Sequence, residues 1–275
     1  MKKGFRYMLA LSVCAGLLFS SAQAFSAVPK TNFKKPSASE VKAEKNSTAK
    51  VVFDASHSEI FSPVKSGPLN YTEFAGLIKN TGEDISLNRS PVNKKTLEKV
   101  KTYIIAGPAK PFTADEGQAL KSFVNDGGNL LILLHISQPV AGITGEFGII
   151  VSNFVISEQA NTIKGQSQDF QVVKFANHPV TAGLEKIAVF GTWGLMTEQG
   201  ASVVAQTSDK AWADLNRDRI FEADEPAQVF GIIAVSQHGK GKVVVVADDA
   251  PFANQFLGEA DNRKLAGNII KWFKE

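Results

Sequence analysis

Four consecutive valines, Val243 to Val246, restrict the fold of this chain more than any other stretch. The run is too short for a helix, and its β-branched residues leave no solvent face. Such a strand must be covered on both sides, as in a parallel α/β sheet. Asp248 and Asp249 follow at its C-terminal end, where open α/β sheets place their ligand crevice. Pro251 then ends the ladder. Adjacent residues of an extended chain point to opposite sides. One carboxylate should therefore line the crevice near Asp54, and the other should cap the Ala250–Phe256 turn or the final helix.

The preceding sequence supplies the rest of such a sheet. Val51 to Asp54 reads as a first buried strand, Tyr71 to Lys79 as a helix, Ile85 to Asn88 as a short strand, and Thr96 to Val100 as a brief helical piece. Thr102 to Ala106 is a third strand. Thr113 with Glu116 three residues on forms a capping box for a helix that ends at Asp126-Gly-Gly128, and Leu130 to Leu134 is the next strand. Strand, helix and strand alternate at the spacing of right-handed βαβ units. From about residue 145 to 230 the pattern changes to short β-branched and aromatic pieces separated by Gly, Asn and Asp. Antiparallel strands added to the sheet or beside it are expected there. Phe230 to Gly241 should form a hairpin into the valine strand, and Asp261 to Phe273 a final helix with Leu265, Ile269, Ile270 and Phe273 on its apolar side.

Lys2, Lys3 and Arg6 precede an apolar run, and Ala22-Gln-Ala24 has the small-x-small form of a cleavage site. Residues 1–24 read as a secretory signal peptide whose apolar part is short for a membrane span; a retained anchor is the alternative. Residues 25–48, rich in Lys, Ser, Ala and Thr, read as a disordered linker, and 49–275 as the folded domain. The chain is expected in the periplasm or outside the cell. Its only cysteine, Cys14, lies in the signal, so the mature chain has no disulfide, thiolate ligand or cysteine nucleophile. Removing three of the 30 basic residues leaves 27 against 27 acids, a balance that argues against nucleic-acid binding.

Several separated stretches share one pattern: Val51-Val-Phe-Asp54-Ala-Ser-His57-Ser-Glu59, Phe112-Thr-Ala-Asp-Glu116, Asp126-Gly-Gly128, Asn177-His-Pro-Val-Thr-Ala-Gly183, and Gly241 to Asp249 continued by Asp261-Asn262. In this order they resemble the DUF4350 branch of the class I glutamine-amidotransferase-like superfamily, akin to the N-terminal domain of an intraflagellar-transport protein. The resemblance spans nearly all of residues 49–275. It implies a flavodoxin-like three-layer α/β sandwich with a mainly parallel central sheet and an added β-rich excursion. Active amidotransferases of that superfamily carry a cysteine on the turn after a central strand. Here that strand leads into His135-Ile-Ser137-Gln-Pro139, with no cysteine and no G-x-S-x-G elbow, which excludes glutaminase chemistry.

Two constellations remain. Asp54, His57 and Glu59 share one turn at a strand end, with His135, Asp248 and Asp249 expected at neighbouring strand ends. They can hold a metal or polar ligand, or simply cap the turn and hydrogen-bond its backbone. The second is Asp214-Leu-Asn216-Arg-Asp218-Arg-Ile220-Phe-Glu222-Ala-Asp224-Glu225. Oxygen donors at positions one, three and five, the Ile220 carbonyl at seven and a carboxylate at twelve match a calcium loop. Arg219 stands where Gly is usual and must take positive φ. The alternative is an acidic hairpin tip whose Asn and Asp are turn formers. The chain is thus expected to be a non-catalytic exported module that binds an envelope protein or a small polar molecule at the strand ends, with a structural calcium loop. The competing expectation is a hydrolase of sugar-like substrates using Asp54, His57, Glu59 and Asp248 or Asp249.

Overall fold

A computed structural model of the chain describes residues 50–198 and 200–275. The signal peptide and linker expected over 1–48 lie outside the described residues. The elements in order are β1 (Val51–Asp54), α1 (Thr72–Lys79), β2 (Ile85–Asn88), β3 (Thr102–Ala106), α2 (Ala114–Asn125), β4 (Asn129–Leu133) and α3 (Ala141–Gly145). The excursion follows as β5 (Ile149–Glu158), β6 (Thr162–Ile163), β7 (Gln166–Val172), β8 (Lys174–Phe175), β9 (Ile187–Phe190), β10 (Trp193–Thr197), β11 (Ala201–Gln206) and β12 (Ala211–Asp214). The chain then returns through β13 (Gly231–His238) and β14 (Gly241–Val246) to α4 (Asn262–Lys274).

The expected α/β architecture is observed. One 11-stranded sheet runs β12-β5-β10-β13-β14-β4-β3-β1-β2, with β11 also on β13 and β8 on β11. The stretch β14-β4-β3-β1-β2 is parallel throughout, and β13 joins it as the antiparallel hairpin partner of β14. Strands β6, β7 and β9 form a separate antiparallel sheet, so the excursion lies partly on the main sheet and partly beside it.

The valine run sits where its composition requires. Val244 and Val246 face a core with Leu131, Leu133, Phe74 and Ile78 of α1, and Leu265, Ile269 and Trp272 of α4. Val243 and Val245 face the other layer, with Leu130, Ile132, Leu120 and Val124 of α2, and Ile143 of α3. All four valines are fully buried, each worth about 1.5–3 kcal/mol relative to exposure. Gly241, which begins the strand, has no room for a side chain, since a Cβ there would collide with the carbonyls of Gly128 and Val124. The Thr113 capping box on α2 is present in both directions.

Three local expectations are corrected. Residues 94–99 form hydrogen-bonded turns and no helix, because the Asn93 side chain takes the Lys95 and Thr96 amides and Lys99 adopts a φ of 66°. The excursion expected from about residue 145 starts its first strand only at Ile149, after the turn that closes α3. On α4 Trp272 is buried in the core with Leu265 and Ile269, while Ile270 and Phe273 pack against that core only partly buried.

Because β1 continues to β2 on one side and the chain then crosses to β3 on the other, the sheet has a switch point between β1 and β3. Their C-terminal ends, with those of β4 and β14, share one edge of the sheet, where such folds open a crevice.

Candidate functional site

The strand ends hold two polar clusters with different partners. The first sits over β1 and β3. Asp54 Oδ2 meets His57 Nδ1 at 2.6 Å, while Asp54 Oδ1 accepts the Ser56 hydroxyl at 2.7 Å and the Tyr103 hydroxyl at 2.8 Å. His57 Nε2 faces Glu116 Oε1 at 3.2 Å, and the ring stacks on Phe112 with centroids 3.5 Å apart. Glu116 is already fixed, since its Oε2 accepts the Thr113 amide and hydroxyl and its Oε1 the Val92 amide. Glu59 folds back to accept the His57 amide on both oxygens.

The electrostatics follow. Burial opposes charge on Asp54, but hydrogen bonds from His57, Glu59 and Ser56 outweigh it and hold the carboxyl below its ordinary range. Burial likewise opposes charge on His57, yet Asp54, through its hydrogen bond and charge, and Glu116 raise its pKa. Glu59 is pushed up to about 8, first by burial and then by its hydrogen bond to, and repulsion from, Asp54. The cluster is thus an imidazole clasped between two carboxylates that favour its protonated form, beside an acid that burial favours in its neutral form. Among the described residues, Asp54, His57 and Glu59 are a trio whose potential ligand atoms all lie within 4.8 Å of one another. Both ring nitrogens of His57 are occupied, however, and a metal would have to displace one carboxylate.

The second cluster sits over β4 and β14. Asp249 Oδ2 accepts the Tyr71 hydroxyl at 2.6 Å, and its Oδ1 meets His135 Nδ1 at 3.1 Å. That hydrogen bond, opposed by burial, raises the His135 pKa. Gly107, at the end of β3 with φ +62°, lies against this group, since a Cβ there would stand 3.0 Å from Asp249 Oδ2. Trp193 Nε1 donates to the His135 carbonyl, and Phe61 packs edge-on to both His135 and Tyr71.

Asp248 points the other way, as alternation requires. Its Oδ2 accepts the Phe190 amide at 2.6 Å and its Oδ1 the Ala250 amide at 2.9 Å. Burial and the Asp249 charge push it up to about 8. It is a turn cap held in the interior, and the expectation that it could face the crevice is corrected. Asp249 is the one of the pair at the strand-end cluster, and its partners there are Tyr71 and His135. Of the residues the hydrolase expectation used, His57 has a carboxylate on each ring nitrogen and Asp248 accepts backbone amides, while its alternative, Asp249, is bonded to Tyr71 and His135. Tyr71, Tyr103, Phe112, Glu116 and Trp193 complete the site, although the sequence marked none of them as a binding residue.

The Asp214–Glu225 loop lies elsewhere, at the end of β12. Asp214 is buried; its Oδ2 accepts Gln168 Nε2 at 2.9 Å and the Arg219 amide at 3.2 Å, whereas its Oδ1 is buried without a hydrogen-bond partner. Asn216 Oδ1 accepts the Asp218 amide, and Asp218 Oδ1 accepts the Ile220 amide. Glu225 Oε1 and Oε2 accept the Leu215 and Glu222 amides. Arg219 has the expected positive φ, at 66°.

A cavity of about 510 Å³ opens at the opposite edge of the sheet, among Lys50, Thr102, Asn129 and Ile269. It contains none of the residues of either cluster, and its one acid, Glu83, faces Lys274 at 3.9 Å.

With this geometry established, comparison with known proteins places the chain. The intraflagellar transport protein 52 homolog of Mus musculus is 22% identical over 249 residues, covering 83% of this chain and 56% of its own length. The Homo sapiens homolog is 23% identical over 253 residues, covering 83% and 54%. The chain therefore spans about half the length of these curated relatives. A solved structure, the mmIFT52 N-terminal domain, superposes with a TM-score of 0.66 at 20% identity, over 82% of this chain and 97% of that one. A cytoplasmic protein of Salmonella typhimurium LT2 gives 0.53 at 12% identity, over 82% and 100%. At these identities the structures show a shared fold. Residues 65–270 match the model of the family described as Domain of unknown function (DUF4350), and the chain belongs to that family.

Proposed function

We propose that the chain is an exported, non-catalytic module that docks a partner protein on the loop beside the strand ends. The observation that carries this reading is a contrast at one edge of the sheet. The titratable groups there are engaged with each other or with backbone amides, while large apolar side chains beside them face solvent. Ile60 is 44% exposed, Val64 56% and Leu69 39%. The Ile60 amide donates to the Gly107 carbonyl, and Phe61 packs on His135, so the apolar loop is tied to the crevice. An apolar patch rimmed by polar groups is the usual form of a protein-binding surface. His135, whose side chain is 40% exposed, is the polar group best placed to meet a partner. The relatives' names are those of transport proteins, which supports a role in assembly over one in turnover.

The test is site-specific photo-crosslinking of the full-length chain in envelope extract. A crosslinker at Val64 should give a discrete adduct, reduced by Ile60→Asp and by excess unlabelled protein, while one at Lys271 on α4 should not. Equal adducts from both positions, or turnover of an ester or glycoside panel that His135→Ala abolishes, would overturn the proposal.

A further inference from the structure

The best-supported ligand site outside the strand ends is the loop that closes β12. Its base is stapled by the Ala213 amide on the Pro226 carbonyl and the Gln228 amide on the Ala211 carbonyl, with a bridge between Trp212 and Ala227. This brings Asp214 and Glu225, first and last of the twelve residues, side by side, and the Leu215 amide binds Glu225 Oε1 at 3.0 Å. From below, β7 supports the loop through Gln168 Nε2 on Asp214 Oδ2 and Ser167 Oγ on the Arg219 carbonyl.

The decisive atom is Asp214 Oδ1. The residue is only 1% exposed, and Oδ2 is used by Gln168 and by the loop amide of Arg219, which holds the carboxylate inside the loop. Oδ1 has no partner. A buried carboxylate oxygen left without a donor is unfavourable, and a cation in the loop would satisfy it. The other oxygens are positioned by backbone amides yet keep lone pairs to spare: Glu225 Oε1 and Oε2, and Asp218 Oδ1, each accept one amide.

We infer that the Asp214–Glu225 loop binds a calcium ion through Asp214, Asn216, Asp218, the Ile220 carbonyl and Glu225. An all-oxygen set without His or Cys favours a hard cation, and irregular geometry favours calcium over magnesium. Asp214, Asp218 and Glu225 are not drawn together as closely as Asp54, His57 and Glu59, so binding tightens the loop. The main movement is at Asn216, whose Nδ2 now bridges Asp218 Oδ2 and Glu222 Oε2 at 3.1 and 3.0 Å and must give way for Oδ1 to turn inward. With no helices flanking the loop and Arg219 in place of glycine, the affinity belongs with extracellular modules, Kd about 10⁻⁴ to 10⁻³ M.

The experiment is thermal unfolding of the EDTA-dialysed full-length chain across a calcium series. The melting temperature should rise through the millimolar range, because calcium binds only the native loop. Magnesium at equal concentration should shift it less. Asp214→Asn and Glu225→Gln should abolish the shift, and Asp224→Asn, outside the ligand positions, should keep it. Terbium added to the same chain should emit on excitation of Trp212, two residues from Asp214, and calcium should quench that emission. If Asp214→Asn does not fold, Asp218→Asn at an exposed position carries the test. A melting temperature unmoved by calcium, an equal shift with magnesium, or a shift retained in the ligand variants would overturn the inference.

Discussion

Two acidic clusters in this molecule differ in how completely their oxygen atoms are used. At the strand ends, Asp54 spends both oxygens on His57, Ser56 and Tyr103, and Glu116 spends both on His57, Thr113 and Val92. In the excursion loop, Asp214 is as deeply buried as Asp54 but leaves Oδ1 unpartnered. The first cluster has the more catalytic-looking composition and the least free valence. The second resembles a string of turn formers and retains a buried carboxylate oxygen without a partner. Residue type alone therefore does not distinguish the two, and the use of their oxygen atoms does.

The contrast can be broken most forcefully at Asp54. Asp54→Ala leaves the buried His57 ring with Glu116 alone and the Tyr103 hydroxyl without its acceptor, and should cost about 3–5 kcal/mol in urea unfolding, with or without calcium. A loss below about 1 kcal/mol would mean the clasp is not structural.

A second test uses pH. Glu59 and Asp248 bind their protons more tightly in the folded state, each up to about 8 against ordinary values of 4.5 and 3.8. Their contribution is fully present below those ordinary values and is lost as pH rises through about 8. The raised His57 pKa acts in the same direction above its ordinary 6.5. The depressed Asp54 and Glu116 act oppositely, losing their contribution only as pH falls into the acid range. Stability should therefore fall between about pH 6 and 9, and Glu59→Gln, which mimics the protonated acid, should flatten that fall. A rise over the same interval would contradict the assignment of charges.

The third test is one of sign. In chelator, Asp214→Asn keeps an acceptor for Gln168 and Arg219 and alters only the oxygen that has no partner, so its stability should lie within about 1 kcal/mol of the parent. Millimolar calcium should then favour the parent alone. The smallest effect is expected at His135, which is half-exposed and paired only with Asp249. His135→Ala should change stability by about 1 kcal/mol or less, while weakening the Val64 crosslink.

Much of the scaffold was legible because it depends on local rules. The β-branched run at Val243–Val246, the Thr113–Glu116 capping box and the opposed side chains of Asp248 and Asp249 each follow from neighbours in sequence. The site was legible only in part, because its decisive contacts are long-range. Nothing around Tyr71 announces a hydrogen bond to Asp249 178 residues away. Glu116 was readable as a cap but not as the second carboxylate on His57, since that contact depends on where α2 settles against the β1 turn. Alternation required one of Asp248 and Asp249 to face inward. Which one depended on the turn after β14, where the Ala250 and Phe190 amides claim Asp248.

The difference between the clusters is tested most directly by following backbone amide resonances of the full-length, chelated chain during a calcium titration. The largest shifts should arise from Asp214 to Glu225 and from Ser167 and Gln168, with Asp54 to Glu59 and Glu116 unmoved. Shifts appearing first at Asp54, His57 and Glu59, with the Asp214 loop silent, would contradict it.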